Sequence, residues 1–561
     1  MLMLVQGFYL GQAFEFGITD GTFMIFKITD AYAVSNDVVD IVGIATKDEY
    51  NIYIFKIRMD TRGNVLEEKY IGPFGGGSTG VYGLSKVKRL PNGDWLFIGG
   101  DTIQDTSFPT YLPQMLVMRL NSDMDSIIWK KKYWYQRIGE YYPHGVHEFE
   151  VSDDGRRVVW MVNSGTVGII MGIIDLTNGD LLKTYKIIKA DTLWGYPVEQ
   201  LGGGYAKPLS LNGSNLGILY ASIVPFEGCS PIAYVVVSFK YLGDSLSLNW
   251  ARAYLPYVDT PVCIRDTTLR GLWGFKYDIH VDEGQPRVIS FNNPATIIDV
   301  PYDTLYTVIG RAYKGLLCAR PVYVMKLSKQ TGEVRFYRGF RTGLSVCGIC
   351  PFQFQFFQVD AAQLLGNRGW VMIGYDGCPP ESFGIGYLDG NLNNLRIIQE
   401  NWIPYSNRLG FIKEVMINKY IGVAMYYRDF WDNKRGIISF ISRSTINSPP
   451  GCYLRYDYTW DDTVKVIDTV ISVRVDTILA NVSDRSSDSL RYEAFRFEDL
   501  GGGCNPVGRG RSGVQGKDAV GICGEYKLYD ISGREVKGIK GKGVYFAVFK
   551  DGRVKKIIKR R

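Results

Sequence analysis

The stretch Val87-Lys-Arg-Leu-Pro-Asn-Gly-Asp-Trp-Leu-Phe-Ile-Gly-Gly100 reads as a strand, a tight turn and a second strand. Within it, Asn92-Gly93 provides the positive φ that a two-residue hairpin turn requires. Two more apolar segments of strand length follow, Met115–Leu120 and Ile127–Tyr133. We therefore predict that these segments form one antiparallel sheet of four strands.

The second strand of this unit recurs along the chain, in several copies with a Gly at its end. A period of about 50 to 65 residues is typical of repeat architectures, and the 38 Tyr and 64 Gly favour strands and turns. With the copy at Trp95–Gly100, the recurrences predict an all-β, seven-bladed β-propeller over residues 21–447. The other copies are Val38–Gly43, Val158–Val162, Leu216–Tyr220, Leu305–Gly310, Trp370–Gly374 and Tyr420–Ala424.

The last copy lacks an obvious fourth strand, because the chain reaches Ser448-Pro449-Pro450 soon after Ile437–Phe440. A strand-like segment at residues 22–29 precedes the first full copy. We expect 22–29 to complete blade seven, since ring closure removes exposed strand edges. A free N-terminal arm, or one that pairs with another molecule, is the alternative. Blade five carries an insertion between Tyr254 and Thr304.

The repeat resembles those of secreted bacterial β-propellers, in which an Asp and a Gly precede an aromatic strand. The resemblance implies the fold alone, since propellers host hydrolases, lyases, dehydrogenases and binding proteins. Several copies here lack the Trp of that pattern. The matching residues are Asp60, Gly63, Asn64 and Tyr70 in one copy and Asn92, Gly93, Asp94, Trp95 and Gly99 in the next.

The C-terminal part divides into a predicted β stalk and loop over 448–515 and a small β-sandwich-like module over 516–561. In the module, Tyr526–Val536, Gly543–Phe546 and a basic end resemble the sorting domain of the type IX secretion system. That resemblance implies export through the secretion machinery and a secreted or cell-surface address. A three-stranded Ig-like cap is the alternative reading. Residues 1–20 are either a truncated signal or an N-terminal arm.

The charge distribution argues against nucleic acid as a partner. Residues 526–561 hold twelve Lys and Arg and three acidic residues, a surplus of nine against +7 for the whole chain. The rest of the chain is therefore near neutral, whereas a nucleic-acid binder carries its basic surplus on the folded recognition surface. No apolar run approaches the roughly 18 residues of a membrane span.

All nine cysteines lie after residue 228. An exported protein can form disulfides, and Cys504 with Cys523 is the favoured pair because both flank a Gly-rich loop. Cys347 and Cys350 have the spacing of redox and zinc sites, but neither a helix start nor a second ligand pair accompanies them. We expect a disulfide or buried thiols there, and no cofactor.

Residues that could support catalysis or bind a metal are few. His144 and His147 lie near Pro143 and Gly145, which indicate a loop, and His280 falls in the blade-five insertion, so no metal site is expected. The Ser-His-Asp hydrolase motif G-x-S-x-G is absent. The doublet Asp153-Asp154, like Asp461-Asp462, is interpreted as a turn former because neighbouring strand residues point to opposite faces.

Loop aromatics could instead form a surface for sugars or proteins, since exposed aromatic patches mark binding sites. Packing between blades is the alternative role for them. We expect a non-enzymatic extracellular binding, adhesion or assembly protein that self-associates or binds a glycan or protein. The alternative is a propeller enzyme that acts on glycans or peptides with carboxylates at the channel mouth. The candidate binding residues are Trp194, Trp273, Tyr277, Tyr427 and Trp431.

Overall fold

The structure is a β-propeller made of antiparallel meanders, and the described residues contain strands and turns but no helix. None of them therefore forms a helix that could cross a membrane. The computed structural model describes residues 14–18, 25–46, 51–60, 65–75, 86–103, 112–135, 148–163, 169–188, 192–200, 209–223, 232–258, 269–270, 276–277, 290–300, 303–313, 322–340, 356–363, 369–376, 383–400, 406–413, 420–428, 434–442, 453–461, 464–477, 480–484, 497–499, 526–530, 543–549 and 554–559.

The described residues up to Ile188 form a single strand and then three sheets. The single strand is β1 (Phe14–Ile18), which belongs to the last sheet. Sheet 1 contains β2 (Ile25–Ala33), β3 (Val38–Thr46), β4 (Asn51–Asp60) and β5 (Val65–Gly75). Sheet 2 contains β6 (Lys86–Arg89), β7 (Trp95–Ile103), β8 (Leu112–Leu120) and β9 (Ile127–Tyr135). Sheet 3 contains β10 (Glu148–Val151), β11 (Arg157–Asn163), β12 (Ile169–Asp175) and β13 (Leu181–Ile188).

The small hairpin of β14 (Thr192–Leu193) and β15 (Tyr196–Pro197) precedes sheet 4. Sheet 4 contains β16 (Glu199–Gln200), β17 (Leu209–Asn212), β18 (Asn215–Ile223), β19 (Ile232–Tyr241) and β20 (Leu246–Val258). A second hairpin, β21 (Leu269–Arg270) with β22 (Lys276–Tyr277), lies within the predicted insertion.

Sheet 5 is the largest, because it unites two meanders into nine strands. The outer strand β34 (Tyr453–Asp461) pairs with the last strand of each meander and joins them. The first meander contains β23 (Ser290–Asp299), β24 (Leu305–Tyr313), β25 (Val322–Ser328) and β26 (Val334–Phe340). The second contains β27 (Phe356–Gln363), β28 (Trp370–Asp376), β29 (Phe383–Leu388) and β30 (Asn394–Glu400).

Sheet 6 has the order β31-β32-β33-β1-β38 and so combines the N-terminal strand β1 with strands that lie beyond residue 400. Its consecutive strands are β31 (Ser406–Lys413), β32 (Tyr420–Arg428) and β33 (Lys434–Ser442). With it, the described residues contain six sheets of four or more strands. All seven segments predicted as second strands lie in the second strand of a meander: β3, β7, β11, β18, β24, β28 and β32.

The strand that closes sheet 6 differs from the prediction. Residues 22–29 were expected there, but β2 pairs with β3 as the first strand of sheet 1. The closing strand is β1, in which Phe14 is opposite Phe440 and Ile18 is opposite Gly436. A short turn follows β2, in which Val34 N donates to Val38 O at 2.8 Å, and it allows β2 and β3 to pair as a local hairpin. Such a local pairing costs less loop-closure entropy than one across the whole chain.

The described strands between residues 453 and 499 do not form the predicted stalk. They lie on the outer edges of the sheets, and we call this set, which includes β34, the belt. In Val464–Val470, Ile467 packs against the core that sheets 3 and 4 share and Val466 packs against the core that sheets 4 and 5 share, so this strand contacts both cores. The other belt strands are β35 (Val464–Val470), β36 (Arg474–Thr477), β37 (Ala480–Asp484) and β38 (Phe497–Asp499).

The apolar core lies between the faces of neighbouring meanders. Val159 and Ile173 of sheet 3, for example, belong to one buried cluster with Ile218 and Val235 of sheet 4. Complete burial of an aliphatic side chain contributes roughly 1.5 to 3 kcal/mol. The first strands of the meanders face the ring centre in turn: β2 contacts β6 and β31, β17 contacts β10 and β23, and β27 contacts β23 and β31.

Side chains of fourth strands also reach the turn between strands three and four of the next meander. Tyr185 of sheet 3 accepts a hydrogen bond from Leu246 N of sheet 4 at 2.9 Å. Arg338 donates to Leu392 O at 2.7 Å within sheet 5. We call each such contact region a junction.

The C-terminal residues form a separate antiparallel sheet of three strands. Its middle strand β40 pairs on one side with β39 and on the other with β41. A second sheet, which a sandwich would need, is not found among the described residues. The strands are β39 (Tyr526–Asp530), β40 (Gly543–Phe549) and β41 (Val554–Lys559).

Candidate functional site

Charged side chains are concentrated on the first strands of sheets 2 and 3. Val87 and Phe149 are fully buried in the core between sheets. Because successive strand residues point to opposite faces, the charged neighbours point away from these two apolar residues on their own strands. The neighbours are Lys86 and Lys88 on β6 and Glu148 and Glu150 on β10. We call these four charged residues the axial cluster.

Ion pairs connect all members of the axial cluster. Lys86 Nζ is bonded to the carboxylate of Glu148, whose side chain is 0% exposed. Lys88 Nζ lies 3.5 Å from Glu148 and 3.0 Å from Glu150, and it donates to Phe149 O at 2.5 Å. A buried carboxylate is tolerated when it is paired and hydrogen-bonded. The two lysines therefore balance the charge of Glu148 and hold sheet 2 against sheet 3.

Sheet 1 meets sheet 2 next to this cluster through uncharged hydrogen bonds. Thr29 Oγ1 donates to Val87 O at 2.8 Å, and Tyr32 Oη donates to Arg89 O at 3.2 Å. Burial, and after it the negative charge of Asp30, raise the pKa of Tyr32 far above its usual range. The Tyr32 hydroxyl therefore stays protonated at physiological pH and serves as a donor.

A second buried carboxylate, Asp299, lies at the end of β23. Burial raises its pKa to about 6, although Lys329 and Asn212 oppose that shift. Its Oδ1 is paired with Lys329 Nζ, while Oδ2 has no hydrogen-bond partner among the described atoms. Lys329 Nζ also donates to Val300 O at 3.3 Å and to Asp303 O at 2.5 Å. Lys329 thus connects the turn after β23 with the turn between β25 and β26, in which Lys329 itself lies.

These groups are arranged for cohesion between sheets. A glycosidase needs one protonated and one ionised carboxyl group that face the substrate, whereas Glu148 and Glu150 are engaged by lysines on the adjacent strand. In the described part of the chain, no group of three or more His, Cys, Asp or Glu residues could hold a metal ion.

Of the predicted binding aromatics, Trp194 has the fullest description. It has a positive φ of 49° in the β14–β15 turn and packs, half-buried, against the core shared by sheets 3 and 4. Tyr427 is a residue of β32 and Tyr277 a residue of β22, but their side chains are outside the described set. Trp273 and Trp431 also lie outside the described residues. Whether these five residues form one surface therefore stays a prediction.

The predicted disulfide partners Cys504 and Cys523 lie outside the described residues, as do the other cysteines and all three histidines. Asp153-Asp154, in contrast, is described and forms a turn as expected. Asp154 accepts from Ser152 Oγ at 2.6 Å and from Arg156 N at 3.0 Å. Asp153 accepts from Gly213 N of sheet 4 at 2.8 Å.

Sequence reasoning missed the axial cluster. The signal was present, since Lys86-Val-Lys88 and Glu148-Phe-Glu150 each alternate charged and apolar residues, with charges of opposite sign in the two segments. Alternating charge on strands predicts a polar face, but the two segments are far apart in sequence. The fold brings the two segments together as the first strands of adjacent sheets, and their charges can pair there.

No protein-family model and no curated protein sequence matches this chain. Among solved structures, the chain is similar to extracellular domains 1–2 of Drosophila Semaphorin 1b, with 8% identity, coverage of 77% of this chain and 86% of the other, and a TM-score of 0.36. TolB from Acinetobacter baumannii has 7% identity, coverage of 72% and 80%, and a TM-score of 0.26. Quinohemoprotein alcohol dehydrogenase from Comamonas testosteroni has 9% identity, coverage of 72% of this chain and 58% of the other, and a TM-score of 0.24. Likenesses this distant say nothing about activity.

Proposed function

We propose that this protein is a non-enzymatic extracellular scaffold whose propeller binds a glycan, a protein or further copies of itself. The observation that carries the proposal is the commitment of the axial carboxylates: Glu148 is fully buried and both it and Glu150 are paired with lysines. Carboxylates used in this way stabilise the contact between sheets, and these two are not available as an acid and a base for a substrate.

A glycan array and a hydrolysis screen on the full chain would test this role. We expect binding without product formation. Turnover of any glycan or peptide that disappears in Glu150→Gln would overturn the proposal, because it would place that carboxylate in a reaction. Size-exclusion chromatography across a concentration series tests self-association, and a strictly monomeric protein at high concentration would exclude the assembly role.

The proposed ring has seven blades. Sheet 5 supports this count because each of its meanders has four consecutive strands and its own first strand. Among the described strands, β34 alone pairs with both meanders, and it comes from the belt. With sheet 5 counted as two blades, the six sheets give seven blades. Class averages of the full chain in electron microscopy would show the number of blades, and any number other than seven would contradict this proposal.

We further propose that the three-stranded C-terminal sheet is the sorting module and that export uses it. Tyr526–Asp530 and Gly543–Phe549, which carry the resembling motifs, are adjacent strands, and basic residues of Val554–Lys559 occupy an edge. Deletion of residues 526–561 should retain the protein inside the producing cell. An immunoblot of cell fractions measures delivery. If the truncated chain still reaches the cell surface, the sorting role is refuted, and the scaffold role is unaffected.

The aromatic surface of Trp194, Trp273, Tyr277, Tyr427 and Trp431, and the Cys504–Cys523 disulfide, remain predictions. Alanine variants of the aromatics in the glycan array test the first. Mass spectrometry of non-reduced peptides tests the second.

A further inference from the structure

The belt returns along the ring in the reverse order of the sheets. After sheet 6, the chain places β34 on sheet 5, β35 on β20 of sheet 4, β36 on β13 of sheet 3 and β37 on β9 of sheet 2. It ends with β38 on β1 in sheet 6. A single segment therefore contacts the outer edges of five of the six sheets.

Side chains add to the backbone pairing of the belt. Arg252 of β20 is ion-paired with Asp468 of β35, and Ile471 N donates to Ala251 O at 3.0 Å. Ile467 and Ile471 pack against the core that sheets 3 and 4 share. Val470, on the same strand, is 68% exposed. The belt thus holds pairs of sheets together as well as covering single edges.

The belt also covers the strand that closes the ring. β1 is hydrogen-bonded between β33 on one side and β38 on the other, with Phe16 opposite both Ile438 and Asp499. A strand held on both sides cannot leave until one neighbour has separated. β1 and the last strand of the belt therefore stabilise each other in sheet 6.

We propose that the belt is a latch that keeps the ring shut, so that the ring opens only after the belt has detached and β1 leaves only after β38. Interactions that must break before opening raise the barrier to unfolding and slow it. We therefore expect the protein to unfold more slowly than a protein of the same free energy of unfolding that lacks such a belt.

Two full-chain variants on one strand test the latch. Ile467→Asp puts a charge into the shared core and should detach β35, whereas Val470→Asp changes an exposed side chain of the same strand. We expect unfolding after a jump into denaturant to be at least tenfold faster for Ile467→Asp and unchanged for Val470→Asp. Limited proteolysis read by mass spectrometry should show cleavage within the belt before cleavage within residues 14–18.

The latch is wrong if Ile467→Asp exposes the belt to protease yet unfolds at the wild-type rate, or if β1 is cleaved before the belt. Should Ile467→Asp fail to fold, Asp468→Ala removes the ion pair to Arg252 without burying a charge. That variant should unfold about threefold faster, and an unchanged rate with a released belt would equally overturn the proposal.

Discussion

Two junctions of the propeller, between sheets 2 and 3 and between sheets 4 and 5, are built alike. Trp129 Nε1 donates to Leu176 O at 2.9 Å, and Tyr133 Oη bonds Gly179 O. At the later junction, the equivalent indole and hydroxyl bond carbonyls with the same spacing: Trp250 Nε1 donates to Lys329 O at 2.8 Å and Tyr254 Oη to Gly332 O at 2.5 Å.

The junction between sheets 1 and 2 uses charges in the same place. Glu67 is opposite Arg58 just as Trp129 is opposite Arg119. Its carboxylate lies 3.6 Å from Lys56 Nζ, 3.2 Å from Arg58 and 3.1 Å from Lys69, and Lys69 in turn donates to Asp123 O at 2.6 Å. The repeat therefore preserves the position of the junction while its chemistry changes from aromatic to ionic.

The largest expected effect comes from the glycines under the aromatic junctions. Gly332 has a φ of +73°, and a Cβ there would lie 2.6 Å from the Trp250 ring. Gly332→Ala should therefore lower the free energy of unfolding by about 2 to 4 kcal/mol, from left-handed strain and overpacking together. Gly243→Ala is the control, since Gly243 has a φ of +82° but no atom within 4 Å. Urea unfolding should show the larger loss for Gly332→Ala, and equal losses would mean that the ring contact is unimportant.

Trp250→Phe should have the next largest effect. The substitution removes the indole donor to Lys329 O and part of a buried ring. We expect it to lower the free energy of unfolding by about 1 to 2 kcal/mol. Trp194→Phe is the comparison, because Trp194 is only half-buried at the edge of a core. The same urea titration measures both, and a smaller loss for Trp250→Phe would argue against the aromatic junction.

Asp299, at the junction of sheets 4 and 5, should give a pH dependence. Its folded pKa of about 6 is above the ordinary 3.8, so the folded state binds the extra proton between these values. Stability from this group falls as pH rises from about 4 to about 6. Asp299→Asn should remove that slope in a series of urea midpoints across this range, whereas an unchanged slope would assign it to another group.

Glu67 should show the opposite sign with a smaller amplitude, because its side chain is 28% exposed. Burial alone would raise its pKa, but the hydrogen bond from Lys69 and the charges of Lys56 and Arg58 lower it below 4.5. This stabilisation is present above the unfolded pKa and is lost as pH falls through the folded one. In Glu67→Gln, stability should therefore fall less as the pH drops below about 4.3.

Added salt should weaken the ionic junction between sheets 1 and 2 but leave the aromatic junctions unchanged.

Much of the fold was predictable because its signals are local. The seven second strands follow from short apolar segments such as Trp95–Gly100, which comes directly after a turn. Turns such as Asn92-Gly93 follow from backbone preference. The candidate site was predictable only in part. Asp153-Asp154 was recognised as a turn, but the ion pairs of Lys86 with Glu148 join segments that the sequence separates widely.

The sequence by itself determined that this chain makes antiparallel blades, because alternation and turn residues act within a few positions of each other. Only the tertiary structure decided which apolar strand closes the ring: β1 pairs with β33, while residues 25–33 begin sheet 1. The same holds for the belt, whose strands were predicted as a stalk. Any strand of suitable pattern can pair with any open edge, so the choice depends on which edges the folded ring leaves exposed and within reach of the chain.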